Sequence, residues 1–148
     1  MRPQYESQAS IDDEMRVARE VQRTTGLYLR RLPPRYPADF VIEHNEELRA
    51  FCEVKVRDCA SKDFPAYMLS LAKWAALQRL SEFAGARAIL IVRWTDRTAW
   101  ATVPDHGLKV VIGGRVDRDD WQDVEPVALI PMDLFHPLDK LKGAITAT

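Results

Sequence analysis

The chain has 148 residues and a formal net charge of -1, from 21 Lys plus Arg against 22 Asp plus Glu. With 47% hydrophobic and 29% charged residues it can build a core, which excludes compositional disorder, and its near-zero charge excludes an indiscriminate polyanion binder. Two cysteines, Cys52 and Cys59, are too few for a disulfide-stapled secreted fold. The polar N-terminus has no signal-peptide pattern, and the longest aliphatic run, 88–92, is far short of the ~20 residues that a membrane helix needs. A cytoplasmic protein without membrane association is expected. Residues 1–9 read as a flexible leader and 10–148 as a single domain.

In chain order, a helix is predicted over 10–24, with Ser10 as cap, Asp13 completing a capping-box pattern and Gly26 as stop. Ile11, Met15, Val17, Ala18 and Val21 supply its apolar side. Residues 27–32 read as a strand, and Pro33, Pro34 and Pro37 as a stiff turn. Residues 39–44 and 48–57 read as the strands of a hairpin around Asn45-Glu46-Glu47. The strongest helix is predicted over 64–84, with Pro65 in its first turn, Gly85 at its end and a core stripe of Leu69, Ala72, Ala76, Leu80 and Phe83. Tyr67, Leu71 and Trp74 make a second stripe, read as core or subunit contact. Residues 87–94 form a buried-type strand, and 97–103 return antiparallel to it. Short strands at 109–112 and 127–130 flank an acidic loop, 113–123, which lacks the calcium-loop spacing and reads as a structured turn or subunit contact. The order implies a small α/β domain with a mixed sheet, in which the helix before residue 87 serves as a crossover between parallel strands.

The hairpin carries the chemistry. A three-residue loop sets Asp39 opposite Glu53, and a two-residue loop sets Asp39 opposite Cys52, still beside Glu53. Residues directly opposed across a hairpin have Cβ atoms about 4.5–5.5 Å apart. Glu53 and Lys55 share one sheet face, while Cys52, Val54 and Val56 point to the other. Two carboxylates beside one ammonium suit Mg²⁺, which takes one or two carboxylates together with water and substrate phosphate. In such a site Lys55 stands where it can orient a nucleophile and stabilise charge on a phosphate. The bland alternative is a surface ion pair, disfavoured by the apolar flanks Phe51, Cys52, Val54 and Val56.

Asp39, Glu53-Val54-Lys55 and a helix on either side resemble the PD-(D/E)XK nuclease superfamily over residues 10–100, with Ala38 interrupting the family's proline–aspartate pair. The resemblance implies a restriction-endonuclease-like core of helix, three strands, helix and strand, with extra C-terminal β elements. It implies that Asp39, Glu53 and the Val54 backbone carbonyl bind one or two Mg²⁺ or Mn²⁺ ions and that Lys55 is catalytic. A further glutamate on the first helix is common in the family. Glu14 and Glu20 are the candidates, and Glu14 is preferred because it falls on the apolar side of the helix, where a carboxylate needs a partner. The family also implies a substrate-binding lysine or glutamine on the second helix: Lys73 first, Gln78 second, near the polar Ser70.

Charge is unevenly distributed. Arg16, Arg19, Arg23, Arg30, Arg31 and Arg35 against Glu20 give residues 16–35 a charge of +5, while residues 117–139 carry -6. Arg16, Arg19, Arg30 and Arg31 are therefore candidates for DNA backbone contacts. The histidines are dispersed without zinc spacing, and no nucleotide-cofactor motif is present. The expectation is a metal-dependent DNA endonuclease resembling junction resolvases, working as a homodimer. The alternative is a non-catalytic nucleic-acid-binding or phage assembly protein on the same fold.

Overall fold

The computed structural model describes residues 8–114 and 124–147. Helix α1 (Gln8–Thr25) is already formed two residues ahead of Ser10, so Ser10 and Asp13 lie within it and do not cap it. Gln8 and Ala9, expected in a leader, are helical. Gly26 stops the helix as expected, with φ +75 and its N–H donated to the Gln22 carbonyl at 2.8 Å. A left-handed residue at this point favours glycine.

Strands β1 (Tyr28–Arg31), β2 (Phe40–His44) and β3 (Glu47–Val56) follow as an antiparallel meander. The β2–β3 turn is the two-residue Asn45-Glu46, with φ 52 and 64, the signature of a type I′ hairpin turn. That turn alone would set Asp39 against Cys52. A register shift between Ile42 and Glu43 leaves Arg49 as the extra residue, so Phe40 pairs with Cys52 and Asp39 comes level with Glu53. A short loop and a bulge together reach the register that a three-residue loop would have given.

The segment 64–84 is not one helix. Ala66–Ser70 is strand β4, and only Leu71–Ala84 is helical, as α2. Tyr67 and Leu69 are buried and Met68 between them is exposed, a period of two that belongs to a strand. The Ser70 hydroxyl accepts the Lys73 N–H and starts the helix. Leu77 is the buried residue of α2, whereas Phe83, expected in its stripe, is 93% exposed. Beyond α2 come β5 (Arg87–Arg93), β6 (Thr98–Thr102), β7 (Lys109–Gly114), β8 (Val124–Pro131), β9 (His136–Pro137) and α3 (Leu141–Thr146). Of the expected acidic loop, residues 115–123 lie outside the described residues. Strand β9 and helix α3 were not anticipated, although Leu138, Leu141 and Ile145 recur at helical spacing.

The strands form a six-stranded mixed sheet, β1-β2-β3-β5-β6-β9, and a three-stranded sheet, β4-β8-β7. Strands β3 and β5 are parallel, and the crossover between them carries β4 and α2. On one face of the large sheet Phe40, Ile42, Cys52, Val54, Ile89 and Ile91 pack with residues of α1 and α3. On the other, Phe51, Leu90 and Val92 pack with Leu77 of α2 and with Tyr67, Leu69 and Ile130 of the small sheet. Fully burying one such aliphatic side chain contributes about 1.5–3 kcal/mol. Strand β3 is thereby clamped from both sides. Among the described residues no helix is long and apolar enough to cross a membrane.

Candidate active site

Asp39 stands at the foot of β2. Its N–H bonds the Cys52 carbonyl at 3.0 Å, and its carboxylate Oδ2 accepts the Val54 N–H at 2.8 Å. Because β2 begins at Phe40, β3 runs past its ladder partner, and the Asp39 side chain takes over as acceptor. In a strand the N–H and C=O of one residue point to the same side, so the Val54 carbonyl faces that vacated side as well.

Glu53 is 1% exposed. One of its carboxylate oxygens lies 3.4 Å from Lys55 Nζ and the other, Oε2, 3.4 Å from Lys73 Nζ. The second approach is an ion pair without hydrogen-bond geometry, and Oε2 has no hydrogen-bond partner among the described residues. Lys73 instead donates to the Pro37 carbonyl at 2.9 Å. Burial, and after it the charge of Asp39, push the Glu53 carboxyl up to about 7, while Lys55 and Lys73 pull it back. A buried carboxyl so incompletely paired is costly to the fold, and such groups cluster at functional sites.

Asp39, Glu53, Lys55 and Lys73 are thus brought together. Glu14 is buried and pairs with Arg31 at 2.5 Å. It lines a cavity of about 240 Å³ with Ser10, Asp13, Val54, Lys55, Val56 and Arg57. It reaches the cavity of Lys55 but does not join the Asp39–Glu53 pair, since among the described residues no three His, Cys, Asp or Glu are grouped to hold a metal. Glu20 accepts the Thr98 hydroxyl at 2.8 Å and fastens α1 to the sheet. Gln78 is not brought to the site: it donates to the Pro104 carbonyl at 3.1 Å, as Trp74 does at 2.7 Å. Arg16 pairs with Asp13 and Arg30 with Glu43, so part of the basic segment is internally neutralised, while Arg19 is exposed. Sequence reasoning passed over Arg57 and misplaced Tyr67. Arg57 donates to the Tyr67 hydroxyl at 2.7 Å, and its place two residues after Lys55 was the available signal.

The oxygen-only donor set fits a small divalent cation. The two carboxylates and the Val54 carbonyl are hard ligands, and an ion held by so few protein groups keeps water in its remaining positions, as Mg²⁺ does. The orphaned Glu53 Oε2 is the atom that such an ion would satisfy.

A mixed sheet flanked by helices, with an acid pair at the mouth of its central hairpin, defines a restriction-endonuclease-like fold. The chain belongs to the family described as "Phage putative PDDEXK endonuclease", whose profile matches residues 1–138. Among solved structures it is similar to Hjc of Archaeoglobus fulgidus, a Holliday junction resolvase from an archaeal hyperthermophile, with a TM-score of 0.60 and 16% identity. That likeness covers 90% of this chain and 98% of Hjc. Comparison with curated proteins finds no match.

Proposed function

We propose that this protein is a divalent-metal-dependent DNA endonuclease that hydrolyses phosphodiester bonds at the Asp39–Glu53–Lys55 site. The observation that carries the reading is the buried Glu53 carboxyl, its Oε2 without a hydrogen-bond partner among the described residues, level with Asp39 at the open end of β3. Asp39, Glu53 and the Val54 carbonyl would hold the ion, either Mg²⁺ or Mn²⁺. A bound divalent cation neutralises charge building on the phosphate and makes water a better nucleophile at neutral pH. Lys55 orients the attacking water and stabilises the extra negative charge on the phosphoryl oxygens. Lys73, anchored on the Pro37 carbonyl, holds a second positive charge beside Glu53 and faces the substrate strand. Asp39 does two tasks, since one of its oxygens is tied to the Val54 N–H and fixes the carboxylate in place. Glu14 lends a further carboxylate to the cavity of Lys55. Of the basic segment, the exposed Arg19 contacts the DNA backbone, whereas Arg16, Arg30 and Arg31 are held by Asp13, Glu43 and Glu14 and contribute only where DNA displaces those carboxylates. The likeness to a protein described as a Holliday junction resolvase supports a structure-selective enzyme acting on branched DNA. A homodimer suits that reading, because two strands must be cut and two-fold symmetry matches such a substrate.

The test is cleavage of supercoiled, linear, single-stranded and four-way-junction DNA with Mg²⁺, Mn²⁺ or EDTA, beside Lys55→Ala. The expected result is metal-dependent cutting, strongest on the junction, that falls by about 10²–10³-fold in the variant. Binding without any cutting would instead support a non-catalytic DNA-binding protein. Equal cutting by Lys55→Ala would remove the site from this strand.

A further inference from the structure

Arg57 lies two residues beyond Lys55 and therefore extends the strand face that carries Glu53 and Lys55. Its backbone is pinned to the end of the sheet, with its N–H donated to the Arg93 carbonyl at 2.8 Å. The side chain rests on an aromatic shelf. Nη2 donates to the Tyr67 hydroxyl at 2.7 Å, and the guanidinium carbon is 4.9 Å from the ring centroid. Tyr67 is buried, paired with Ile130 across β4 and β8, and in edge contact with Phe135 at 6.4 Å.

The charge of this guanidinium is unspent. Arg16, Arg30, Arg31, Arg49 and Arg93 each stand within 4 Å of a carboxylate oxygen, whereas Arg57, like Arg19 and Arg87, forms no ion pair among the described residues, and unlike those two it is held by a tyrosine. Arg57 and Lys55 also both line a cavity at this end of β3, whose remaining walls are Ser10, Asp13 and Glu14 of α1 with Val54 and Val56 of the opposite strand face. The acids on the helical wall of that cavity, Asp13 and Glu14, are already paired with Arg16 and Arg31. Tyr67 holds Arg57 without neutralising it: burial, with help from the charges of Glu53 and Asp39, pushes the phenol up, so it stays a neutral hydroxyl. Arg57 Nη1 also donates to the Val56 carbonyl at 3.3 Å, so the second N–H of each Nη and the Nε N–H are the donors left for a ligand. A guanidinium that is fixed, charged and without a carboxylate can turn those remaining donors to the oxygens of a phosphate.

We propose that Arg57 is a phosphate clamp: it takes a backbone phosphate of the DNA and sets the strand against Lys55, with Tyr67 as the positioning residue that aims it. The clamp rests on the nuclease reading above. Its test separates binding from cutting. DNA affinity is measured in EDTA across a salt series, and kcat and KM are measured with Mg²⁺. One phosphate contact contributes about 0.9 to the slope of log affinity against log salt, so between ~50 and ~200 mM salt Arg57→Ala should lose about 3.5-fold less affinity than wild type does. Arg57→Lys keeps the charge and hence the slope, but it loses the guanidinium donors, and kcat should fall about tenfold or more through misplacement of the strand. Tyr67→Phe should lower kcat in the same way but less, with the slope intact. Arg57→Lys also serves should Arg57→Ala fail to fold. A wild-type slope in Arg57→Ala, or wild-type kcat in both Arg57→Lys and Tyr67→Phe, overturns the clamp while the wild type still cuts DNA. A wild type that neither binds nor cuts any DNA overturns the nuclease reading itself, and the clamp with it.

Discussion

Where strand β3 passes residues 52–55, its two faces hold opposite kinds of residue. Cys52 and Val54 are fully buried on one face, packed with Phe40, Ile42, Ile89 and Ile91. Glu53, 1% exposed, is on the other, with Lys55 and Lys73 each 3.4 Å away and Asp39 level with it. The first face contributes stability through packing. The second gives some of it up, because a carboxyl taken out of water and incompletely paired raises the energy of the fold. The pairing of the two faces on one strand explains how the cost is tolerated. Rigid packing on the apolar side fixes the backbone, and a fixed backbone can hold Glu53 far from the conditions that it would choose for itself.

The largest stability effect should therefore come from the apolar face. Ile91 is fully buried beside Val54, and Ile91→Ala should cost about 2–5 kcal/mol in a urea titration, through lost transfer energy and the cavity left behind. Cleavage per folded molecule should stay near that of the wild type, because Ile91 points away from the acid pair. A loss below about 1 kcal/mol would break the contrast, since the core would then be collapsing around the gap.

The charged face should respond with the opposite sign. The folded Glu53 carboxyl has a pKa of about 7, against 4.5 for an ordinary glutamate, so between those values the folded state holds more proton than the unfolded state. Stability should fall as pH rises through that window, by an amount on the order of 3 kcal/mol, with the full benefit below it and none above. Glu53→Gln removes the titration. In metal-free buffer at pH 8 the variant should be more stable than wild type, and the difference between the two should vanish toward pH 4.5, while cleavage is abolished. Added Mg²⁺ should stabilise the wild type alone at pH 8, because only it offers the ion a carboxylate pair. A pH-independent difference in urea midpoints would show that Glu53 is not the group that titrates.

The same contrast explains what could be read from the chain. The acid pair was legible because everything that sets it is local: alternation with a period of two, a short loop at Asn45 and an aspartate at the strand's foot. Even the uncertainty of register was narrow, and the bulge at Arg49 resolved it by a device that no residue type announces. Strand β4 was not legible. Pro65 looks like a helix start, and the apolar spacing of Leu69 and Ala72 runs smoothly into α2, while the partner that makes 66–70 a strand is β8, more than fifty residues further on. Ser70, the cap that divides strand from helix, is one polar residue in a run whose spacing stays helical on both sides of it. For Glu14 the helical wheel located a buried carboxylate correctly, but no periodicity could say that its partner is Arg31. The family resemblance that suggested Gln78 likewise said nothing of Pro104, which takes its amide.

The smallest effect marks the lower end of the comparison. Arg16 pairs with Asp13 at 2.6 Å, with 65% and 46% of the two side chains exposed. Water already solvates both partners, so Arg16→Ala should change stability by no more than about 0.5 kcal/mol at any pH where the fold persists. The 2.6 Å contact is shorter than either lysine's approach to Glu53, yet its removal should matter far less. Distance alone thus ranks these pairs wrongly. What sets the energy is how much water each charge has lost, and that is decided by which face of which element carries it. A loss of several kcal/mol in Arg16→Ala would mean that the N-terminal turns of α1 depend on this pair, and the division of labour assigned to β3 would have to extend to the helix that covers it.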